Sequence, residues 1–261
     1  MRGTVRFIGE VSRETSVPAD VTYLKHAATI TDPAAIAARA RAAVAGWLAE
    51  ASIRPRAGFL ERIERMAAML AFWGAHTNLT AHPNDPEEIA FHVIDSLAPL
   101  AFAPAEERAA LEGALAAQAA ALDIGAGAGF PGLVLAAAFE ARFTLVDSRR
   151  KRASYLEVAA REMNLSNVVV EQRRMSPRSV EPRFDLVTAR AFGLLADVYA
   201  IAAAALGPRG IFLLYASSSQ HLDVPAAQAV GLLAAATWSY RVAHGPHSAT
   251  RTAALWRARG S

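Results

Sequence analysis

ALDIGAGAGFPG, residues 121–132, is the stretch on which the fold turns. It begins as a short apolar strand, runs through Gly125, Gly127, Gly129 and Gly132, and places Pro131 where a helix starts. Backbone without a Cβ lets a ligand come close, and the helix start behind it presents unpaired N–H groups. Read from Gly127, the string satisfies G-x-G-x-x-G, the dinucleotide fingerprint, and Asp147 follows about 20 residues later as that motif expects. A tight strand–helix turn with no ligand would use fewer glycines and would not need an acid at both strand ends.

Downstream, strands and helices alternate. FTLVD (143–147), NVVVEQ (167–172), FDLVTAR (184–190) and GIFLLYA (210–216) read as strands, with helices over 149–163 and 195–206 between them. That grammar predicts an α/β fold, a doubly wound and mostly parallel sheet with helices on both faces. TWSYRVA (237–243) and TAALWRA (252–258), separated by the turn HGPHSATR, predict an antiparallel hairpin at the sheet edge. Upstream the chain reads as helical. Helices are expected over 34–51 and 57–75, and a third is capped by Asp85 with Pro86 at its first position. Glu88 should close a capping box on that helix, which should stop near Pro99, and a fourth helix should span about 105–119. The expected organisation is a loosely ordered extension over 1–30, a helical cap over 31–118 and a ligand-binding domain over 119–261.

The totals agree with a buried core. Of 261 residues, 53% are hydrophobic and 20% charged, although alanine inflates the apolar share. Net charge is only +3 while the pI is about 9.6, so clusters of arginine matter more than the sum. The absence of cysteine excludes disulfides, thiolate metal sites and cysteine nucleophiles. No stretch approaches the roughly 18 apolar residues of a membrane span. The N-terminus has no apolar signal region because Glu10 interrupts it, so a soluble cytoplasmic protein is expected.

Three features move the glycine loop away from a nicotinamide dinucleotide. Asp123 sits at the strand end, where a carboxylate can face a cationic amino-acid group. Pro131 removes an N–H that a pyrophosphate would use. A methionine-derived cofactor has no phosphate to cradle, and the Asp123/Asp147 pair suits an ammonium group and ribose hydroxyls. Together they favour a methionine-derived cofactor with an ammonium group at one end and a ribose at the other, and nicotinamide chemistry remains the alternative.

Several separated strings resemble one family. NLTA (78–81), HVIDSL (92–97), LDIGAGAGFPGLVLA (122–136), TLVDSRRKRASYL (144–156), LSNVVVEQRR (165–174) and FDLVTARAF (184–192) are similar, in collinear order, to the RsmG (GidB) family. These are bacterial methyltransferases of the small-subunit ribosomal RNA that modify N7 of a guanine in 16S rRNA. The resemblance covers about 57–257; residues 1–50 have no counterpart. It implies a class I, Rossmann-like methyltransferase that uses S-adenosyl-L-methionine. Its cofactor contacts would fall on Asp123, Gly125, Ala126, Gly127, Phe130, Asp147, Met175, Ser176 and Arg190, with Arg190 also at the reaction site. The implied partners are ribosomal RNA and the small ribosomal subunit, with no membrane and no metal, the chain acting as a monomer. Two positions depart from the family pattern: Ser176 stands where a glutamate is usual, and Leu214-Tyr215-Ala216 where Leu-Lys-Gly is usual.

Guanine N7 carries a lone pair and loses no proton on methylation, so positioning should do most of the catalysis and no general base is needed. The sequence accordingly offers no Ser/His/Asp order. RNA-binding candidates are Asn78, His92, Arg149, Arg150, Arg174 and Arg251, with Arg173, Arg178 and Arg183 expected at the same sheet edge. His76, His82 and His92 lack zinc spacing. A small-molecule methyltransferase, or an inactive cofactor- or RNA-binding module, remains the other reading of these residues.

Overall fold

The computed structural model describes residues 32–259 apart from 75, 76, 78, 182, 191 and 192. The extension expected over 1–30, and Asn78, lie outside the described residues. The chain starts with four helices: α1 (Pro33–Glu50), α2 (Phe59–Gly74), α3 (Pro86–Phe102) and α4 (Ala105–Ala114). Asp32 caps α1 by accepting from the Ala34 amide at 2.9 Å, and Ile36, Ala40 and Val44 form the buried stripe that faces its neighbours.

Asp85 caps α3 as expected, accepting from the Glu87 amide at 2.9 Å. Glu88 does not close the box. It reaches back to the His82 amide at 3.1 Å and so pins the preceding turn instead. Nor does α3 stop near Pro99. It runs on to Phe102, because the sheet supplies donors to the turn that a proline disturbs. Tyr215 Oη donates to the Ser96 carbonyl at 2.8 Å and Trp238 Nε1 to the Pro99 carbonyl at 3.1 Å. The fourth helix ends at Ala114, earlier than expected, and the chain turns through Gln118 at φ +76 into the sheet.

The strands and remaining helices are β1 (Ala120–Ile124), α5 (Gly132–Ala138), β2 (Arg142–Asp147), α6 (Arg150–Glu162), β3 (Val168–Gln172), β4 (Phe184–Arg190), α7 (Leu195–Ala205), β5 (Leu206–Ser217), α8 (Val224–Ala229), β6 (Leu232–His244) and β7 (His247–Ala258). They form a seven-stranded sheet in the order β3-β2-β1-β4-β5-β7-β6, parallel from β3 to β5 and closed by the antiparallel β6–β7 hairpin. The strand order reverses between β1 and β4. A crevice therefore opens outside their carboxyl ends, where ligands bind in open α/β sheets.

Helices cover both faces. On one, Leu145, Leu186 and Leu213 of the sheet join Ile63, Met66 and Leu70 of α2 and Ile94 and Leu97 of α3 in a continuous apolar cluster, so the helical cap and the sheet share a core. On the other, Val198, Ile201 and Ala202 of α7 and Ala227 of α8 cover Leu122, Val187 and Phe212. Arg56 ties the cap to the sheet layer from the side. Its guanidinium donates to the Ala136 carbonyl at 2.7 Å and the Ala137 carbonyl at 3.2 Å, at the carbonyl end of α5 where a cation is favoured. Among the described residues no helix is long and apolar enough to cross a membrane.

Candidate active site at the carboxyl edge of the sheet

The glycine loop leaves β1 with Gly125, Gly127 and Gly129 at φ +70, +57 and +89, conformations that side-chain-bearing residues rarely adopt. Internal bonds set its shape. Ala126 donates to the Val146 carbonyl at 3.0 Å and Gly129 to the Ala126 carbonyl at 2.7 Å. Asp147, at the end of β2, accepts from the Gly127 amide at 3.1 Å through Oδ2 and from the Arg149 amide at 2.8 Å through Oδ1. Each carboxylate oxygen keeps a further lone pair, the acceptor capacity that ribose hydroxyls would use. Arg152 Nη1 stands 3.9 Å from the same carboxylate. A Cβ placed on Gly127 would meet only ordinary contacts, with the Gly125 carbonyl at 3.6 Å and Arg152 at 3.8 Å, so the loop is open on this side.

Asp123 departs from its expected place. Its carboxyl is 1% exposed and both oxygens are already engaged, by the Thr188 hydroxyl at 2.8 Å and the Gly132 amide at 3.0 Å. It holds the base of the loop rather than facing a ligand. A Cβ at Gly132 would come within 2.5 Å of Asp123 Oδ2, which is why glycine occupies that position. Burial pushes the Asp123 carboxyl up to about 7, against the pull of those two hydrogen bonds.

Met175 is buried beside Val146 and Ala189 in the core of the second face. Ser176 is exposed and caps a 3-10 turn over Pro177–Ser179, donating its amide to Ser179 Oγ at 2.9 Å. Arg149 and Arg150 open α6 beside Asp147 and are exposed, as are Arg174 and Arg178 after β3. Arg173 is turned onto Glu171 at 2.6 Å and the Ser179 carbonyl at 2.9 Å. Arg183 is not at this edge. It precedes β4, at the opposite end of the parallel strands, and lies over the Phe184 ring.

Against Phe130 of the loop a second group gathers from four elements. Arg190, the last residue of β4, sits over the Phe130 ring at 5.2 Å and donates through Nη1 to Asp95 Oδ2 at 3.2 Å. Asp95 lies on α3 and is 1% exposed. The same oxygen is 3.5 Å from Nε of Arg251 on β7, and Tyr240 Oη on β6 donates to Oδ1 at 3.4 Å. Arg251 in turn lies 6.0 Å from the Phe91 ring. His92 packs on Phe130 with ring centres 5.1 Å apart, its Nε2 is 3.6 Å from Glu88, and its buried Nδ1 has no partner among the described residues. Burial and the charges of Arg190, Arg251 and His247 pull the His92 imidazole down to about 3, so it is neutral at physiological pH and a weak base. The structure therefore gathers Arg190, His92 and, through Asp95, Arg251 around Phe130 at the end of the glycine loop, at the same sheet edge as Asp147.

Sequence reasoning missed Asp95, Tyr240 and Phe91. The signal for Asp95 was present: a lone acid inside the apolar run Val93-Ile94-Asp95-Ser96-Leu97 is costly to bury and needs a cationic partner. Tyr215 stands where a lysine was the family's habit. It is buried, and its hydroxyl anchors α3 instead of reaching into the crevice.

The family model described as rRNA small subunit methyltransferase G matches residues 59–244. A protein named ribosomal RNA small subunit methyltransferase G from Wolinella succinogenes is 36% identical over 157 residues, covering 60% of this chain and 74% of that one. One of the same name from Acidiphilium cryptum is 34% identical over 202 residues, covering 75% of this chain and 82% of that one. Among solved structures, a putative sarcosine dimethylglycine methyltransferase from Galdieria sulphuraria superposes with a TM-score of 0.50 at 15% identity, over 67% of this chain and 88% of that one. At that identity the likeness is one of fold.

Proposed function

The chain belongs to the rRNA small subunit methyltransferase G family, and on that premise we propose that it methylates N7 of a guanine in 16S ribosomal RNA, in the cytoplasm. Its cofactor is S-adenosylmethionine. The residues fit that group: the open glycine backbone at 125–129 and the Asp147 carboxylate would hold its ribose and methionine parts, and the family resemblance alone would put Met175 and Ser176 at the adenine side. When bound, it supplies an electrophilic methyl on a cationic sulfur, and because N7 takes that methyl without releasing a proton, the positive charge ends on the purine.

The observation that carries the reading is the arginine group packed on Phe130 of the loop. Among the described residues, Arg190 commits one nitrogen to Asp95, which leaves the rest of its fork for the guanine O6 edge, the acceptor beside N7. The Phe130 ring under that guanidinium fixes its plane. His92 is held too far below neutrality to act as a general base, which suits a reaction that has no proton to remove. Exposed Arg149, Arg150, Arg174 and Arg178 flank the crevice and would meet phosphates. Tyr215 fills the lysine position, so this chain relies on Arg190 and Arg251 for positive charge at the base.

The test is transfer of labelled methyl to small ribosomal subunits that lack the modification. The wild-type protein should label 16S rRNA. Arg190→Ala should lose about 100-fold or more in kcat, the usual scale for removing one preorganised donor. Asp147→Ala should instead weaken cofactor binding about tenfold or more, the scale of a lost hydrogen bond to a charged group. Cofactor binding with no label in RNA would reject the proposal.

A further inference from the structure

One carboxylate, on the cap rather than on the sheet, stands between two arginines. We propose that Asp95 is the positioning residue that aims the Arg190 and Arg251 guanidinium groups into the crevice and balances their charge beside the target purine. This rests on the methyltransferase reading of the same site.

Three observations carry it. First, Arg190 and Arg251 come from different strands, β4 and β7, and Asp95 Oδ2 faces both, hydrogen-bonded to Arg190 at 3.2 Å and at ion-pair distance, 3.5 Å, from Arg251 Nε, which has no hydrogen-bond partner among the described residues. Neither has another carboxylate within ion-pair distance among the described residues. Second, Asp95 is itself fixed. Tyr240 donates to its other oxygen, and the helix that carries it is held to the sheet just beyond it, through Ser96 by Tyr215 and through Pro99 by Trp238. Those neutral bonds and the apolar core already dock α3, so docking needs no buried charge. A buried ion pair is weak support for stability, since well-packed apolar groups of similar volume do as well or better. Third, the reaction places a positive charge on the purine. Two uncompensated guanidinium groups next to it would oppose that charge, and Asp95 offsets one of them. Burial pulls the Arg190 pKa down and the nearby Asp95 charge raises it.

The experiment compares the full-length wild-type chain with Asp95→Glu and Asp95→Asn, each also in an Arg190→Ala background. Methyl transfer to small subunits, cofactor affinity by calorimetry, and side-chain NMR of 15N-arginine-labelled protein are read for each. Asp95→Glu keeps the charge but moves it by a methylene, and it should fold even if Asp95→Asn does not. It should lower kcat about tenfold or more, as misplacement of a catalytic group does, while cofactor Kd and RNA KM stay within about threefold. In the Arg190→Ala background the same change should cost less than it does in the wild type, because one of the two groups it aims is gone and only Arg251 is left to misplace. In the wild type the arginine side-chain signals should show hindered guanidinium rotation for the two paired residues, and Asp95→Glu should shift or broaden them. Unchanged arginine signals, or a kcat loss of equal size with and without Arg190, would overturn the proposal and leave Asp95 a docking residue. If the wild-type protein transfers no methyl to subunits, the functional reading fails, and the arginine spectra still decide whether Asp95 aims the pair.

Discussion

Asp123 and Asp147 end neighbouring strands and look alike in the sequence, yet burial separates them. Asp147 keeps spare acceptor capacity at the loop, whereas Asp123 is sealed beneath it with both oxygens bonded. A strand-end acid is legible from spacing; which way its carboxyl turns depends on Thr188 and Gly132, one from another strand and one from the following helix. The difference has a pH consequence. The native pKa of Asp123, about 7, lies above its ordinary value of 3.8, so the folded state holds this proton more firmly than the unfolded chain. The resulting stability is complete below the ordinary value and is lost as pH rises through 7. Asp123→Asn should remove the dependence, with Nδ2 donating to Thr188 Oγ1 and the amide oxygen accepting from Gly132. Urea unfolding at pH 5 and pH 8 should show the wild type losing roughly 2–3 kcal/mol more than the variant over that interval. Parallel pH profiles for the two proteins would refute the burial argument. His92 titrates the opposite way, since its depressed pKa favours folding as pH rises, but it is common to both proteins and cancels in the comparison.

At the scale of elements, the regular alternation from β1 to β5 was open to reading because strand and helix periods differ sharply there. The departures have local causes. A run such as Leu-Leu-Ala-Ala-Ala at 232–236 has little strand propensity, but β6 takes it in by pairing with β7 through a bulge between Ala234 and Ala236. Helix α8 has six residues and leaves almost no periodic signal. The extra turn of α3 beyond Pro99 depends on donors more than 100 residues away, which no local pattern contains. That dependence is testable. Tyr215→Phe keeps the ring but leaves the Ser96 carbonyl short of a donor in a buried place, and should cost about 1–3 kcal/mol of unfolding free energy. A change below about 0.5 kcal/mol would show that the tyrosine does not anchor the helix.

For the whole molecule, the glycine loop, Asp147 and Arg190, all singled out in the sequence, come to the same carboxyl edge of the sheet. The sequence did not identify what joins them to the cap, because Asp95, Tyr240 and Phe91 meet Arg190 and Arg251 only after α3, β4, β6 and β7 have packed. The exposed arginines at the same edge give the molecule a polarity that its net charge of +3 conceals. If Arg149 and Arg150 each meet a phosphate, Arg149→Gln/Arg150→Gln should weaken subunit binding and reduce the slope of log affinity against log salt by about two. An unchanged slope would place the RNA elsewhere. The central claim is the reacting atom, and strand scission tests it most directly. Borohydride followed by aniline cleaves RNA at N7-methylguanine and leaves other methylated guanines intact. Unmodified small subunits treated with the wild-type protein and S-adenosylmethionine should yield 16S rRNA with one new enzyme-dependent scission, absent after treatment with Arg190→Ala. Methyl label in the RNA without that scission would contradict the account, since it would put the methyl on an atom other than N7.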